Sequence, residues 1–362
     1  MPCPHRCSIF CILPPHILSH IARAGRAKQR QAALQTLAID QTFRALRAAR
    51  LVGPEGVRAA LAAAPGVKRR TISSAGHQEV LPGEPVRREG EPASGDPAVD
   101  EAYDGLGHTW DLFNEVFGRD SIDDEGMALH ATVHYGQAYD NAFWNGQQMV
   151  FGDGDGELFN RFTIAVDIIA HELGHGVTED EGGLVYLFQP GALNEHLSDV
   201  WGALVKQKVL GQTAQEADWL IGAGLFTDAV RGRALRSMKA PGTAYDDPLL
   251  GKDPQPDHMK RYVRTYQDNG GVHINSGIPN RAFYLAATSL GGYAWEKAGR
   301  IWYETLRDPR LRANTGFRRF ASLTIDRAGF LYGANSVEQK AVREAWRQVG
   351  IGIGPGAAAP EA

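Results

Sequence analysis

The sequence predicts an α+β protein of two lobes, a β-rich N-terminal lobe and a mostly helical C-terminal lobe, joined by a central helix. Three observations support this fold class. Residues 127–135 alternate between apolar and polar side chains, which is typical of a half-buried strand. Residues 166–180 have the pattern of a long apolar helix, and the chain beyond Gly191 is mostly helical with glycine breaks. A small helical segment is expected ahead of both lobes.

The composition is that of an ordinary globular protein. The chain has 362 residues, of which 43% are hydrophobic and 22% charged, so it can bury two sizeable cores. No stretch reaches the roughly 18 uninterrupted apolar residues of a membrane helix, and the N-terminus lacks the pattern of a Sec signal. We therefore expect no membrane partner, and two locations stay open, the cytoplasm or the outside of the cell after export by a non-classical route.

Charge divides the chain into a basic head (residues 1–70) and an acidic body (residues 71–362). The head holds twelve Lys and Arg against two acidic residues, a net of +10, and the body holds 26 against 40, a net of −14. Such a head can bind nucleic acid or its own acidic body. We favour the second interpretation, and predict no nucleic-acid partner, because the arginines lie among alanines with few aromatic residues between them.

The head has a helical pattern from Pro15 to about Ala64, followed by a basic cluster at residues 68–70. A Pro- and Gly-rich stretch continues to about Pro97, and we interpret the cluster and this stretch as an exposed processing linker. All three cysteines lie in the first eleven residues, so the body contains no disulfide.

The central helix carries the sequence His171-Glu172-Leu173-Gly174-His175. The four-residue step places both imidazoles on one face, about one turn apart, where they can bind a single Zn²⁺. Glu172 is rotated by about 100° from His171, so it can reach a water at the metal without being a ligand. The neighbouring residues are apolar, which disfavours a surface salt bridge, because uncompensated ionisable groups are costly in a core.

A third metal ligand is expected further along the chain. Glu195 follows His175 after nineteen residues, 176–194, and Asp199 lies one helical turn beyond it. Glu195 would complete a three-ligand site with an open position for catalysis, and Asp199 would accept the far N–H of His171 and orient that ring.

His-Glu-x-x-His followed by Asn-Glu-x-x-Ser-Asp at this spacing resembles the thermolysin family of zinc metallopeptidases. Residues 141–146 (Asn-Ala-Phe-Trp-Asn-Gly) are similar to the substrate-edge strand of that family, residues 183–186 to its active-site tyrosine segment, and residues 268–277 to its catalytic histidine segment. The resemblance spans about residues 71–350. The segment Cys-Ile-Leu-Pro-Pro-His-Ile-Leu of the head resembles the short prosegment of the protealysin branch.

The resemblance implies a thermolysin-like two-lobed fold and a neutral endopeptidase. Zn²⁺ held by His171, His175 and Glu195 would polarise the scissile carbonyl, and Glu172 would act as the general base that passes its proton to the leaving amine.

Further roles are implied by the same family pattern. Tyr186 and His273 would donate hydrogen bonds to the developing oxyanion, and Asp268 would orient His273. The substrate would bind as an added edge strand. The groups implied in holding its main chain are Asn141, the carbonyl of Ala142, and Arg236.

Five apolar residues match the positions that line the primary pocket of the family. Periodicity alone would assign them to the core, and the resemblance implies that they also select a bulky hydrophobic side chain just after the scissile bond. They are Phe159, Phe162, Ile168, Leu225 and Leu235.

The resemblance also implies a precursor that is inhibited by its own prosegment and cut near Lys68–Thr71. A head cysteine would take the open position on the zinc, and we prefer Cys11 over Cys7. The predicted domains are an inhibitory prosegment (1–70), an N-terminal catalytic lobe (71–186), a helical C-terminal lobe (187–350) and a disordered tail (351–362). We expect a monomer whose partners are peptide or protein substrates and its own prosegment.

Calcium is the point at which the sequence departs from the family pattern, whose double calcium site uses carboxylates near the zinc. Of the matching positions only Asp167 and Asp218 are acidic, and Lys206 replaces the bridging carboxylate. Ca²⁺ needs roughly six to eight oxygen ligands and is repelled by an ammonium, so we predict that Ca²⁺ binding is absent or weak and that Lys206 pairs with one of these aspartates. Further expected ligand positions hold Leu220, Ala223, Phe226 and Arg233.

Two other functions fit part of the pattern. Zinc aminopeptidases have a related motif, but they place one residue fewer between the second histidine and the glutamate and carry a Gly-x-Met-Glu-Asn element, which this sequence lacks. A zinc-stabilised binding module with a basic arm would not need Glu172 or His273.

Overall fold

The computed structural model describes residues 10–50 and 66–353. Predictions about Cys3, Cys7, residues 51–65 and residues 354–362 lie outside this part of the chain. The helical pattern of the head is confirmed as far as it is described, by α1 (Pro15–Ala24) and α2 (Ala27–Arg50). Pro14 is extended and Pro15 occupies the first helical position, where a missing N–H costs nothing, so α1 begins there.

Six strands form one mixed sheet: β1 (Phe10–Cys11), β2 (Arg70–Ser74), β3 (Glu84–Arg88), β4 (Leu129–Val133), β5 (Ala142–Trp144) and β6 (Met149–Phe151). Their order across the sheet is β1-β5-β6-β4-β2-β3. The strand predicted at 127–135 is confirmed as β4, which pairs in parallel with β2 and β6. Thr132 on its polar face is buried, with its hydroxyl 2.8 Å from the carbonyl oxygen of Pro82 and from Gln148 Oε1 as alternative acceptors.

The head completes this sheet at one edge. β1 pairs antiparallel with β5, with Cys11 opposite Phe143. Lys28 forms an ion pair with Glu157 of the body at 3.0 Å, but the lysine is 71% exposed, so this contact contributes little. Apolar burial of Ile17, Ile21 and other head residues in the main core holds the head more strongly than charge does.

The stretch after the basic cluster is largely exposed, as expected, but part of it belongs to the sheet and is not a linker. Residues 70–74 and 84–88 are paired strands, and Arg70 is held by Glu89 through its backbone N–H and its guanidinium. A cut between Arg70 and Thr71 would sever β2. Cleavage on the N-terminal side of Lys68 therefore fits the structure better, and the exact domain boundaries stay a prediction.

The central helix predicted at 166–180 is α4 (Val166–Glu181), and a mostly helical lobe follows it, which confirms the fold class. No helix in the described ranges has the length and apolar character needed to cross a membrane. The other helices are α3 (Pro97–Asp111), α5 (Phe188–Leu210), α6 (Asp268–Asn275), α7 (Gly277–Leu290), α8 (Ala298–Leu306), α9 (Phe317–Tyr332) and α10 (Val337–Gln348). Between α5 and α6 lie two strand pairs, formed by β7 (Leu220–Ile221) with β8 (Arg236–Ser237) and β9 (Asp246–Asp247) with β10 (Gly251–Lys252).

Helices α4 and α5 cross in close contact through two glycines. A Cβ atom on Gly202 would lie 2.5 Å from the carbonyl oxygen of Asp167, and one on Gly174 would lie 2.8 Å from the Trp201 ring. Any larger residue would separate the helices. This approach brings the two histidines of α4 against Glu195 of α5.

Candidate active site and metal centre

Three buried side chains converge at the crossing of α4 and α5. The Nε2 atoms of His171 and His175 lie 3.1 Å apart, and they lie 3.5 and 3.4 Å from the carboxylate oxygens of Glu195. A tetrahedral zinc with ligand bonds of about 2.0–2.1 Å has ligand atoms about 3.3 Å apart. Glu195 Oε2 is buried without a hydrogen-bond partner. The spacing and this unsatisfied oxygen fit one zinc ion.

The outer nitrogens of both histidines are held by α5. His171 Nδ1 lies 2.8 Å from Asp199, and His175 Nδ1 lies 2.7 Å from Asn194 and 2.9 Å from Ser198. Burial lowers the pKa of His175 to about 3, so this ring is neutral, as a metal ligand must be. Burial also favours the neutral form of His171, but the Asp199 carboxylate raises the pKa of this ring. These contacts direct both Nε2 atoms toward Glu195.

Glu172 lies beside the ligands without the contacts of a structural carboxylate. Its Oε2 accepts a hydrogen bond from the backbone N–H of Trp144 at 3.0 Å, and its Oε1 is buried without a partner. Burial and the neighbouring Glu195 carboxylate raise the pKa of Glu172 well above its ordinary value. A basic carboxylate with one unsatisfied oxygen is suited to accept a proton from a bound reactant.

Tyr186 and His273 face the same site from the helical lobe. The Tyr186 hydroxyl donates to Glu195 and lies 3.3 Å from His273 Nε2. His273 Nδ1 lies 2.6 Å from Asp268, and although burial opposes it, that carboxylate raises the pKa of His273. Asp268 and Asn269 have left-handed backbone angles, with φ of 52° and 50°, and this strained turn directs Asp268 back to His273.

Arg236 on β8 contacts both Asp199, which holds the His171 ring, and the head. Its guanidinium donates to both carboxylate oxygens of Asp199, at 2.9 and 2.8 Å. Asn280 of α7 donates to Asp199 Oδ2 at 2.8 Å. The third guanidinium nitrogen donates to the carbonyl oxygen of Ile12 in the head at 3.1 Å. Arg236 thus holds a main-chain carbonyl, which here belongs to the chain's own head.

Residues 11–13 of the head lie along the expected substrate edge. The backbone N–H of Ile12 donates to the carbonyl oxygen of Ala142 at 3.2 Å, and that of Leu13 donates to Asn141 Oδ1 at 3.0 Å. The carbonyl oxygen of Cys11 lies 3.0 Å from His273 Nε2. The main chain of the head therefore occupies the donors and acceptors predicted for a substrate.

The side chain of Cys11 does not have the position that we expected for a zinc ligand. It packs in an apolar cluster with Ile39, Tyr139 and Phe143. In the described part of the chain, the metal-capable group at this site comprises His171, Glu172 and His175, without Cys11. The strand geometry of β1 directs the Cys11 carbonyl toward His273, and the structure gives no support to a bond between the thiol and the metal.

The head also contacts the side chain of Asn141, which is predicted to bind the substrate. Asp40 of α2 is 2% exposed and accepts hydrogen bonds from Asn141 Nδ2 at 2.9 Å and from the Tyr139 hydroxyl at 2.6 Å. Sequence reasoning missed Asp40, because nothing in a helical head pattern marks one carboxylate as buried. It also missed Asn280, which is distant in sequence. Asn194 and Ser198 could have been found, since they flank Glu195 and Asp199 on α5.

The five predicted pocket residues are all buried, and they share one apolar cluster with Ile12 and Leu13 of the head. Phe159 and Phe162 contact each other, with ring centroids 6.0 Å apart. Ile168 and Leu235 lie close to Gly222. A Cβ atom added to this glycine would lie 3.5 Å from the Ile168 side chain and 3.2 Å from the Leu235 side chain. No charged residue was predicted here, and the cluster has the apolar character that the sequence indicated.

Comparison with known proteins places these observations in a family. The chain matches the thermolysin metallopeptidase catalytic domain over residues 72–179 and the alpha-helical domain of the same family over residues 182–351. It is 55% identical over 345 residues to an extracellular metalloprotease of Pectobacterium carotovorum subsp. carotovorum, with 95% of this chain and 97% of the relative covered. It is 47% identical over 350 residues to protease PrtS of Photorhabdus sp. (strain Az29), with coverage of 94% and 92%.

A solved structure is similar over the same range. The precursor of protealysin, a metalloproteinase from Serratia proteamaculans, superposes with a TM-score of 0.86 at 54% identity, covering 94% of this chain and 99% of that one.

Proposed function

The chain belongs to the thermolysin metallopeptidase family, and from that premise we propose that it is a self-inhibited precursor whose body cleaves peptide bonds before bulky hydrophobic residues. Membership itself makes the chain a zinc-dependent metalloendopeptidase that acts on peptides. It removes the aminopeptidase and binding-module alternatives. The similarity to a protease precursor supports a zymogen.

Self-inhibition rests on the main-chain contacts of residues 11–13. Three body groups predicted to bind a substrate backbone, Asn141, Ala142 and Arg236, hydrogen-bond to the head. Because these contacts use backbone atoms, the head excludes any peptide that needs the same partners. The occlusion is by main chain, and we do not assign Cys11 a role as a metal ligand.

The chemical roles follow from the positions of the site residues. When bound by His171, His175 and Glu195, zinc would supply a Lewis acid that polarises the scissile carbonyl and acidifies a water molecule. Glu172 is placed to accept the proton of that water and to transfer it to the leaving amine. His273 and Tyr186 are placed to donate hydrogen bonds to the oxygen on which negative charge develops.

Self-inhibition is tested with a precursor in which the binding of the head to the body is weakened. Ile12 is fully buried, so Ile12→Asp should release the head and raise the peptidase activity of the uncut chain at least about tenfold. Leu34→Asp is the control, because Leu34 is 57% exposed on α2. If the uncut wild-type chain already has the activity of the cut body, the proposal of self-inhibition is wrong.

The cleavage preference rests on the apolar cluster that includes Phe159, Leu225 and Leu235. A mixture of blocked peptides, analysed by mass spectrometry of the products, should give new N-termini beginning with Leu, Ile or Phe. Leu235→Arg should depress cleavage before these residues. Cleavage without regard to the residue after the bond would contradict the proposed preference.

Calcium independence is supported by the surroundings of Lys206. Its ammonium lies 3.3 Å from Asp167, 3.0 Å from both oxygens of Asp218 and 3.1 Å from the carbonyl oxygen of Leu220. Lys206 thus pairs with both aspartates, whereas the sequence left open which one. A cation surrounded by these oxygens supplies the positive charge that calcium would bring, and we propose that Ca²⁺ is absent or weakly bound.

We further propose that the precursor is an exported monomer. A relative that covers nearly all of this chain is named an extracellular metalloprotease, which supports export and disfavours the cytoplasmic alternative. Fractionation of producing cells and size-exclusion chromatography of the purified precursor test the two statements. Retention of the mature enzyme inside the cells, or elution as a dimer, would contradict them.

A further inference from the structure

A second cluster of metal-binding side chains lies in the N-terminal lobe, apart from the catalytic residues. Ligand atoms of His77, His134 and Asp153 all lie within 4.8 Å of one another. His77 is exposed, and the other two residues are partly buried. The sequence analysis did not select these residues, and the proposed mechanism does not use them.

The two imidazoles converge on one carboxylate. Asp153 Oδ2 lies 3.3 Å from His77 Nδ1 and 2.9 Å from His134 Nδ1. The ring centroids are 5.4 Å apart. These separations resemble the spacing of about 3.3 Å between neighbouring ligands of a tetrahedral zinc, and two imidazoles with one carboxylate leave a fourth position for water.

Asp96 orients the central histidine of the cluster. Its Oδ2 lies 2.9 Å from His134 Nε2. Its Oδ1 accepts from the backbone N–H groups of Ala98 and Val99, so Asp96 is also the N-cap of α3 and cannot rotate freely. A carboxylate on the outer nitrogen of a histidine, with the inner nitrogen directed into the site, is the usual support of a metal-bound imidazole.

The backbone holds both histidines in a costly conformation. His77 and His134 have φ of 62° and 54°, in the left-handed region that few residues other than glycine adopt. The backbone N–H of His77 donates to the carbonyl oxygen of His134 at 2.9 Å, which ties the two loops together. Strain concentrated at two potential ligands suggests that their directions matter.

An ion pair without metal explains only part of this cluster. A protonated His134 between two carboxylates would be satisfied, and the hydrogen bond to Asp153 raises the pKa of this ring to about 9. That arrangement does not require His77, whose Nδ1 nevertheless lies 3.3 Å from the same Asp153 oxygen. A divalent cation would instead bind both Nδ1 atoms, with loss of the Nδ1 proton of His134, while the Nε2–H of His134 stays in place and donates to Asp96.

We propose that His77, His134 and Asp153 form a second zinc site in which Asp96 positions His134. This site would hold together the loops of the N-terminal lobe that lie next to the substrate edge. The turn that carries Asp153 supports this edge directly. Gly152 N–H donates to the carbonyl oxygen of Asn141 at 3.0 Å, and Gly154 N–H donates to that of Tyr139 at 3.3 Å. Zinc here would join this turn to the loops of His77 and His134.

The test counts zinc ions per chain. The full-length chain carries Glu172→Gln to prevent self-processing, and Cys3→Ser and Cys7→Ser to remove thiols that bind zinc. The head is retained because His273 Nε2 then faces the Cys11 carbonyl, so excess zinc is kept from the cleft. After equilibration with micromolar free Zn²⁺ and gel filtration, elemental analysis should give two zinc ions per chain.

Three variants in this background decide the proposal. His77→Ala should retain one zinc and lose the rise in melting temperature caused by the second, whereas His130→Ala, at an exposed histidine on β4, should retain two. Asp96→Asn should weaken the second site by about 10–100-fold without changing the first. One zinc in the parent chain, or two in His77→Ala, would overturn the proposal.

Discussion

His273 Nε2 lies 3.0 Å from the carbonyl oxygen of Cys11, so the histidine expected to stabilise the transition state contacts the main chain of the head. Ile12 makes similar contacts, because its N–H donates to the carbonyl oxygen of Ala142 and its carbonyl oxygen accepts from the Arg236 guanidinium. In the proposed function, inhibition and substrate binding thus use the same groups. Changes in the site are therefore expected to affect both functions, whereas changes in the head should affect inhibition alone.

Glu172→Gln should leave zinc binding intact and abolish nearly all peptidase activity. The metal ligands are other residues, whereas the proton acceptor is lost, which costs a factor of about 10²–10⁴. Zinc content and kcat/KM of the cut body are the measurements. Glu179→Gln, on the same helix, is a control outside the site. A Glu172→Gln variant with more than about a tenth of wild-type activity would remove Glu172 from the mechanism.

Asp40→Asn should weaken docking of the head without harming the mature enzyme. The Asn141 amide and the Tyr139 hydroxyl both donate to this carboxylate, and an amide in its place cannot accept both bonds equally well. A loss of about 1–3 kcal/mol corresponds to activity of the uncut chain that is about 5–150-fold higher. Leu34→Asn on the same helix serves as the control. Equal activity of the two uncut variants would rule out this role for Asp40.

Lys206 gives a two-way test of calcium independence. Added Ca²⁺ should leave the melting temperature of the zinc-loaded wild type unchanged. Lys206→Glu should destabilise the protein without Ca²⁺, because Asp167 and Asp218 then face a third carboxylate. Added Ca²⁺ should restore much of that loss, whereas Lys206→Met should be destabilised and not rescued. A wild-type protein stabilised by several degrees on addition of Ca²⁺ would contradict the prediction.

His16 should make docking of the head sensitive to acid. Its Nε2 lies 3.0 Å from the Tyr245 hydroxyl, its Nδ1 is buried without a hydrogen-bond partner, and burial lowers its pKa from 6.5 to about 4. The released head binds a proton more tightly than the docked head. Docking is therefore fully favoured above about pH 6.5 and weakens as the pH falls toward about 4, by at most about 3 kcal/mol.

Reaction of Cys11 with a pyridyl disulfide measures this release. The side chain is 1% exposed, so labelling requires the head to move. In the chain with Cys3→Ser, Cys7→Ser and Glu172→Gln, labelling relative to the unfolded chain should be faster at pH 5 than at pH 7. His16→Leu should reduce this difference. The same acceleration in His16→Leu would show that another group is responsible.

Sequence alone determined the chemistry and the fold class. The spacing of His171, Glu172 and His175 requires a helix that presents both rings on one face, and Glu195 follows on the next helix at the same level. The alternation around β4 and the apolar pattern of α4 were sufficient to predict those elements, because local periodicity reports burial on one face. The replacement of a family carboxylate by Lys206 also predicted an ion pair that the structure contains.

Tertiary structure alone decided how the head meets the body. The contacts of residues 11–13 are made by backbone atoms, which are the same in every residue, so no side-chain pattern could place Cys11 with its carbonyl rather than its thiol toward the site. Asp40, and the group of His77, His134 and Asp153, come from segments far apart in the chain. Such pairings depend on the packing of whole elements, which local periodicity does not encode.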